Sequence, residues 1–527
     1  MRVPLLYKAG ILRDGTPFQD EYCIDGQWIR FVGGKIKKMK GQQQVINSPQ
    51  GLGVVYMTVV PDGNNVQFYY AVFDATNPIY KAALNLKTNT LTNPISLLPQ
   101  GTSNTGLATW TSTLYTANTV PFIAFLRTLN ADNMLSDRAG ELYVKQLDNQ
   151  PLVIKDIGDN RAIASGGILF SNPCLYVYGN NGTILRSRTT SPLSFDGGDS
   201  GIYTISTEKL IFGAAVRGGS NAPSFLFWTA NSVIYLTNIS TGNAPVDFQK
   251  EVVTNNSSLM SSRAVVQYDS LFFWLGTDRI FVYNGIVDSI PNTVNLEYFF
   301  DNVDLNKRQK IFGYKIARYG EVRWAYPEKR FAGNAAIGCT RELVYNVREN
   351  SWYDTVIQRD CVTVYEGTGD IFSYGETCTN YPYVNSIFRS IWKHEVGTTE
   401  VSEFANRNIP SFFTTPYYGF VTFNPAKTGG ALDKYIVLDQ IEPDFPTQSE
   451  RTNDDEVIIT VNYKKYASYN LVTSDPVVFK LADLPEQPNL GKVDFRIQGR
   501  FMNITFYCEY PYNVGTVLMN FKEGDNQ

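Results

Sequence analysis

The sequence predicts an all-β protein: a β-propeller core of about six to eight blades, an extended N-terminal segment, and a C-terminal β-sandwich-like module. Three observations predict it. Aromatic residues make up 14% of the 527 residues and charged residues only 18%, with 41 glycines, a balance that favours strands and turns over helices. An aromatic hairpin pattern recurs along the middle of the chain. Beyond His394 that rhythm gives way to longer strands with period-two alternation. No long stretch carries apolar residues at helical spacing.

The elements follow in chain order. Residues 1–50 read as an extended segment. Within it, "EYCIDGQWIRFVGGKIKKMKGQQQVI" (Glu21–Ile46) sets an apolar Trp28-Ile29-Arg30-Phe31 run before a Gly33-Gly34 turn. Lys35, Lys37, Lys38 and Lys40 then crowd four cations into six residues. Such a cluster suits a charged edge strand that resists aggregation, or a salt-dependent contact with a partner. No arginine or aromatic residue is interleaved with it, so it carries no sign of base reading.

Residues 51–395 read as the propeller. "SFLFWTANSVIYLTN" (Ser224–Asn238) and "SLFFWLGTDRIFVYN" (Ser270–Asn284) align Phe227-Trp228 with Phe273-Trp274, an offset of 274 − 228 = 46 residues. "CLYVYGNNGTILRS" (Cys174–Ser187) fits the same frame at 228 − 178 = 50. Looser copies are Val66–Lys81, Phe122–Leu126 with Glu141–Gln146, Val322–Pro327 with Glu342–Val347, and Val362–Gly375, giving about seven units. The competing arrangement is a set of unrelated hairpins in stacked sandwiches; the recurring aromatic register favours the propeller. Residues 396–527 read as the closing module. Its alternation is clearest in Val493-Asp494-Phe495-Arg496-Ile497 and Met502-Asn503-Ile504-Thr505-Phe506.

The chemistry is mostly excluded. His394 is the one histidine. "GGDSG" (Gly197–Gly201) resembles the surroundings of a chymotrypsin-type nucleophile, but the histidine follows it in the chain, and a Gly/Asp turn explains the stretch. Cysteines 23, 174, 339, 361, 378 and 508 show no metal-binding or redox spacing and are expected to be buried thiols. No phosphate-binding glycine loop occurs, and "NDDE" (Asn453–Glu456) reads as a solvated hairpin entry rather than a calcium site. No catalytic residue, cofactor or metal ligand is named. A pair of carboxylates for glycoside hydrolysis stays open, because 50 acidic residues supply many pairs. The net charge of −4 gives no general attraction to nucleic acid or anionic membranes. No apolar run reaches the ~20 residues of a membrane span. Lys8 and Arg13 interrupt the start before a signal-peptide apolar region forms, so a soluble protein made in the cytosol is expected.

Three stretches carry a resemblance. "IDGQWIRFVGGKIKKMKGQQ" (Ile24–Gln43), "EVRWAYPEKR" (Glu321–Arg330) with "RELVYNVRENSWYD" (Arg341–Asp354), and "VDFRIQGRFMNITFYCE" (Val493–Glu509) lie in order and bracket most of the chain. Together they resemble the tail nozzle or tail-hub, packaged-DNA-stabilising proteins of short-tailed bacteriophages. Residues 380–490 share no part of it, and Gln42-Gln43-Gln44 departs from it. The resemblance implies a non-enzymatic virion protein, made in the bacterial host cytoplasm. It implies a homo-oligomeric ring, commonly a hexamer, below the phage portal and adaptor. Such a ring closes the channel over packaged DNA, which passes without sequence-specific binding. It also supports the tail needle, fibres or spikes during genome ejection. Trp28, Ile29 and Phe31 would pack an N-terminal strand on the propeller, leaving Lys35, Lys37, Lys38 and Lys40 at the surface. The alternative is a carbohydrate-binding or glycoside-hydrolysing propeller.

Overall fold

The structure is a computed structural model. It describes residues 2–524 apart from 16–20, 49–52, 63–64, 73–78, 98–107, 118–119, 130–139, 148–152, 156, 158–162, 217–223, 240–247, 334–337, 378–388, 420–433, 446–454, 467–469 and 482–490.

Antiparallel sheets follow one another from Val54 onward, each made of consecutive strands. Blade 1 is built on Val54–Asp62, Asn65–Val72, Ile79–Asn85 and Thr90–Leu91. Blade 2 is Ala108–Ala117, Val120–Leu129, Leu142–Gln146 and Val153–Lys155. Blade 3 is Gly167–Ser171, Cys174–Tyr178, Thr183–Arg186 and Gly201–Thr204. Blade 4 is Phe212–Val216, Ser224–Trp228, Val233–Asn238 and Phe248–Thr254. Blade 5 is Val266–Tyr268, Leu271–Leu275, Ile280–Tyr283 and Val287–Ser289. Blade 6 is Phe312–Ile316, Glu321–Tyr326, Cys339–Asn346 and the first part of the long strand Ser351–Tyr365. After a register shift near Arg359, the same long strand becomes the first strand of blade 7, beside Asp370–Gly375 and Ser390–His394.

The ring closes. First strands of successive blades touch from blade 1 through blade 4 and from blade 5 through blade 7, and blade 7 meets blade 1. Blades 4 and 5 join through Trp228 and Trp274, edge to face at 5.7 Å. The protein is therefore an all-β propeller with seven blades among the described residues. The aromatic register marks equivalent places: Tyr178, Trp228 and Trp274 all end or nearly end the second strand of a blade. Large rings at the same position in each wedge bury much apolar area and fix the blade-to-blade distance.

Blade 7 takes its fourth strand from the other end of the chain. Gln42–Gln44 pairs antiparallel with Trp392–His394, so the first and last parts of the ring are hydrogen-bonded together. Gly41 permits this. A Cβ there would lie 2.0 Å from the Thr399 carbonyl oxygen.

The C-terminal residues form two sheets. One orders Arg2–Pro4, Leu518–Glu523, Ile436–Glu442 and Val493–Gly499; the other orders Asp25–Gln27, Ser411–Thr414, Phe501–Cys508, Glu456–Lys464 and Val472–Thr473. Each sheet thus accepts a strand from the first 50 residues. The N-terminal segment, expected as an extended stretch with one strand packed on the propeller, is woven into both sandwich sheets and into blade 7. One seven-residue α-helix, Leu296–Asn302, lies before blade 6. Among the described residues, no helix is long and apolar enough to cross a membrane.

Candidate functional site

The three stretches singled out above meet in one place. A single core holds Trp28, Ile29, Phe31 and Ile36 of the N-terminal hairpin, Val344 and Tyr353 of blade 6, and Val493, Met502, Ile504 and Phe506 of the sandwich. The hairpin pairs Ile29–Val32 with Lys35–Lys38 through a two-residue turn. Gly33 and Gly34 have φ of +59° and +71°, the left-handed pair that a type I′ turn requires. The Glu349 carboxylate accepts from both turn amides, at 2.7 and 3.0 Å, and pins the tip to the end of blade 6. Phe31 packs edge-on against Tyr353 at 5.5 Å.

Beneath the hairpin lies a buried ionic network. Arg30 is fully buried. Its guanidinium lies 3.0 Å from Glu321, donates to Glu395 at 2.8 Å, and stacks 3.8 Å from the Tyr319 ring. Arg323 donates to Glu321 at 2.7 Å and to Glu342 at 3.0 Å. Tyr353 and Tyr314 donate to the same two carboxylates at 2.8 and 2.6 Å. Burial works against ionisation of Glu321, yet Arg30 and Arg323 outweigh it and hold its pKa below the usual range. A second set does the same at the hairpin's base. Asp354 of blade 6 accepts from Arg13 at 3.0 Å and Arg341 at 2.6 Å, and Arg13 reaches Asp25 at 2.7 Å. Both networks tie the first 30 residues to blade 6. Charges buried this way add little net stability but fix one arrangement, because any other leaves an ion unpaired.

The lysine cluster divides. Lys35 is exposed and Lys37 and Lys40 are half-buried, but Lys38 points inward, is 4% exposed, and donates from Nζ to the Glu509 carbonyl. Burial pushes its pKa down to about 8. Strand alternation is the reason: Ile36 and Lys38 share the face turned to the sandwich. Lys38 therefore leaves the surface set expected from the sequence. Sequence reasoning also passed over Arg30 and Gln42. Gln42 donates to Glu400 and accepts from Arg359, each at 2.5 Å, so the polar closing strand is satisfied inside the ring.

The nucleophile-like stretch is structural. Gly197 and Gly198 adopt left-handed φ in a turn of blade 3, and Ser200 Oγ donates to the Gly197 carbonyl at 2.7 Å. His394 sits in blade 7 against Ser373 Oγ, and burial, then Arg359 and Arg323, push its pKa well down. The two lie on blades separated by others in the ring, so no triad forms. The described cysteines are buried thiols, and Cys378 lies outside the described residues. So do Asn453 and Asp454, while Glu456 pairs with Lys480 at 2.7 Å. No metal-binding cluster occurs among the described residues.

The propeller mouth holds a cavity of about 500 Å³. Ser165, Ser258 and Ser262, on loops leading into blades 3 and 5, line it together with Asn231 and Thr277, on the turns between the second and third strands of blades 4 and 5. Glu208 is the one carboxylate in the described lining, and Asn231 donates to it at 3.1 Å. Nearby, Arg263 donates to the carbonyls of Val55 in blade 1 and of Gln309 before blade 6, each at 3.1 Å. That side chain leaves the blade 5 entry loop and occupies the interior of the ring.

No family model and no curated protein matches the chain. Solved structures similar to it include an ancestral GH74 enzyme, with TM-score 0.40 and 12% identity over 70% of this chain and 50% of that one. Sqt1 of Saccharomyces cerevisiae gives TM-score 0.38 and 9% identity over 72% and 96%. A puromycin-hydrolyzing peptidase of Mycobacterium tuberculosis gives 0.37 and 9% over 72% and 62%. The chain thus spans half the length of the GH74 enzyme and less than two thirds of the peptidase. The propeller assignment rests on the closed ring of sheets.

Proposed function

We propose that the chain is a structural component of a short-tailed phage tail, a nozzle or hub protein that assembles as a closed ring below the portal and adaptor. In this reading the ring closes the DNA channel and supports needle, fibres or spikes during genome delivery. The observation that carries it is the convergence of Ile24–Gln43, Arg341–Asp354 and Val493–Glu509, stretches with the phage-tail resemblance, on one core, with Glu321–Arg330 joined to it through the Arg30–Glu321 ion pair. A hairpin clamped between propeller and sandwich gives a rigid two-part subunit, which suits a load-bearing ring. Arg263 occupies the interior of the single propeller, so the DNA path in this reading runs between copies and not along a blade axis.

The test is quantitative mass spectrometry of density-purified particles, scaled to the major capsid protein. About six copies per particle is the expected result for a cyclic ring. Absence from particles overturns the reading. The mouth cavity favours the second reading, a sugar-binding propeller. Its described lining offers one carboxylate where acid/base hydrolysis uses two. Binding on a glycan panel, with the chain absent from particles, would bring that reading forward.

A further inference from the structure

Most cations in the junction are matched with carboxylates, and one group is not. Lys35, Lys37 and Lys40 of the hairpin and Arg318 of blade 6 make no ion pair among the described residues. Lys35 and Arg318 are exposed. Lys37 stands opposite Arg30 in the hairpin, and Arg30 stacks on Tyr319, the residue after Arg318. Burial first, then the positive charges of Arg30, Lys40 and Arg318, lower the pKa of Lys37 against the pull of Glu395. Arg348 adds a further positive charge, its guanidinium held on the carbonyls of Arg318 and Ala317 at 3.0 and 2.8 Å. Two nearby carboxylates are already engaged. Glu395 is held by Arg30, and Glu349 caps the Gly33-Gly34 turn. Like charges crowded beside carboxylates that are engaged elsewhere cost stability, and a polyanion would relieve that cost.

The surroundings select the polyanion. Lysine is depleted in protein–protein interface cores, and Val32 is the one large apolar residue exposed on this hairpin. The Tyr319 ring already has Arg30 at 3.8 Å and Arg318 at 5.5 Å over it, so it is engaged by cations and not presented for stacking an unpaired base. Point charges on a strand, with no aromatic platform and no base-reading fork, match the backbone of a duplex. We infer that Lys35, Lys37, Lys40 and Arg318 form a sequence-independent contact for the phosphate backbone of double-stranded DNA. The inference rests on the tail reading for which DNA is met, and not for the contact itself.

The test titrates the purified full chain against a labelled mixed-sequence duplex at several salt concentrations. One variant carries Lys35→Gln, Lys37→Gln, Lys40→Gln and Arg318→Gln. A control of equal charge carries Lys250→Gln, Lys465→Gln, Lys492→Gln and Lys522→Gln, all exposed positions elsewhere. The wild type is expected to bind with a steep salt dependence. The patch variant should lose about three to four units of the slope of log K against log salt, and at least about tenfold in affinity at low salt, while the control keeps both. The single changes Lys35→Gln and Arg318→Gln should each remove about one unit. Three results overturn the contact: no duplex binding by the wild type, equal losses in patch variant and control, or binding of polyglutamate with no duplex binding, which would assign the patch to an acidic protein. Because the assay needs no particle, failure here leaves the particle count to judge the tail reading separately.

Discussion

Blades 4 and 5 and the hairpin junction are both well buried, yet they are held by opposite means. Between the blades, Trp228, Phe272, Trp274 and Phe281 form a cluster of rings, with Trp274 stacked on Phe281 at 5.3 Å. At the junction, Arg30, Glu321, Arg323 and Glu342 form a chain of ions inside the protein. Apolar packing is tolerant: a ring can shift and still find neighbours. A buried ion is not, since each unmet charge carries its full desolvation cost. The blades are thus repeated and forgiving, while the junction is unique and exacting. That is where one relative placement of propeller and sandwich is selected.

Three substitutions would sharpen or break this contrast. The largest effect is expected from Glu321→Gln, which leaves Arg30 and Arg323 short of a carboxylate. It should cost about 3–5 kcal/mol in urea unfolding. A loss below about 1 kcal/mol would put the network in the class of exposed ion pairs and erase the distinction.

Lys38→Met comes next, and its signature is pH. The folded pKa of about 8 lies below the ordinary lysine value of 10.5. Between those values the unfolded chain holds a proton that the folded chain has released, so the stability due to this group rises with pH across that window. Below pH 8 both states are charged and the burial cost is constant. The full swing is about 3 kcal/mol, of which about 2 kcal/mol falls below pH ~9.5. Thermal melts should therefore show wild type gaining on Lys38→Met between about pH 7.5 and about pH 9.5. Parallel curves would mean that Lys38 is solvated in the folded protein.

The smallest effect belongs to the blades. Ile234→Val, at a fully packed position in blade 4, should cost about 0.5–1.5 kcal/mol by the same unfolding measurement. A loss as large as that of Glu321→Gln would show the blades to be as exacting as the junction.

The propeller was legible because its signal is repeated. Each hairpin unit read from the chain, from Val66–Lys81 to Val362–Gly375, falls on strands of a different blade. Ring spacing in strands is a local property, set by side chains that alternate across a pleat. The closing strand was not legible. Gln42-Gln43-Gln44 has no apolar alternation and low strand propensity, and it becomes a strand through Trp392–His394 on one edge and Glu400–Val401 on the other, both far along the chain. Lys38 looked like its three neighbours in the cluster, and only the sandwich packed against Ile36 turned it inward.

By itself the sequence determined the strand content, the repeating blade unit and the three stretches that share a resemblance, since each is written in residues close together in the chain. The tertiary structure alone decided that those stretches share one core, that the N-terminal segment threads both sandwich sheets and closes the ring, and which lysines face solvent. Those outcomes depend on ion pairs and strand pairings between residues hundreds of positions apart, such as Arg30 with Glu321 and Gln44 with Trp392. No local pattern encodes such a pairing, because a buried charge reads in sequence like an exposed one until its partner is brought beside it.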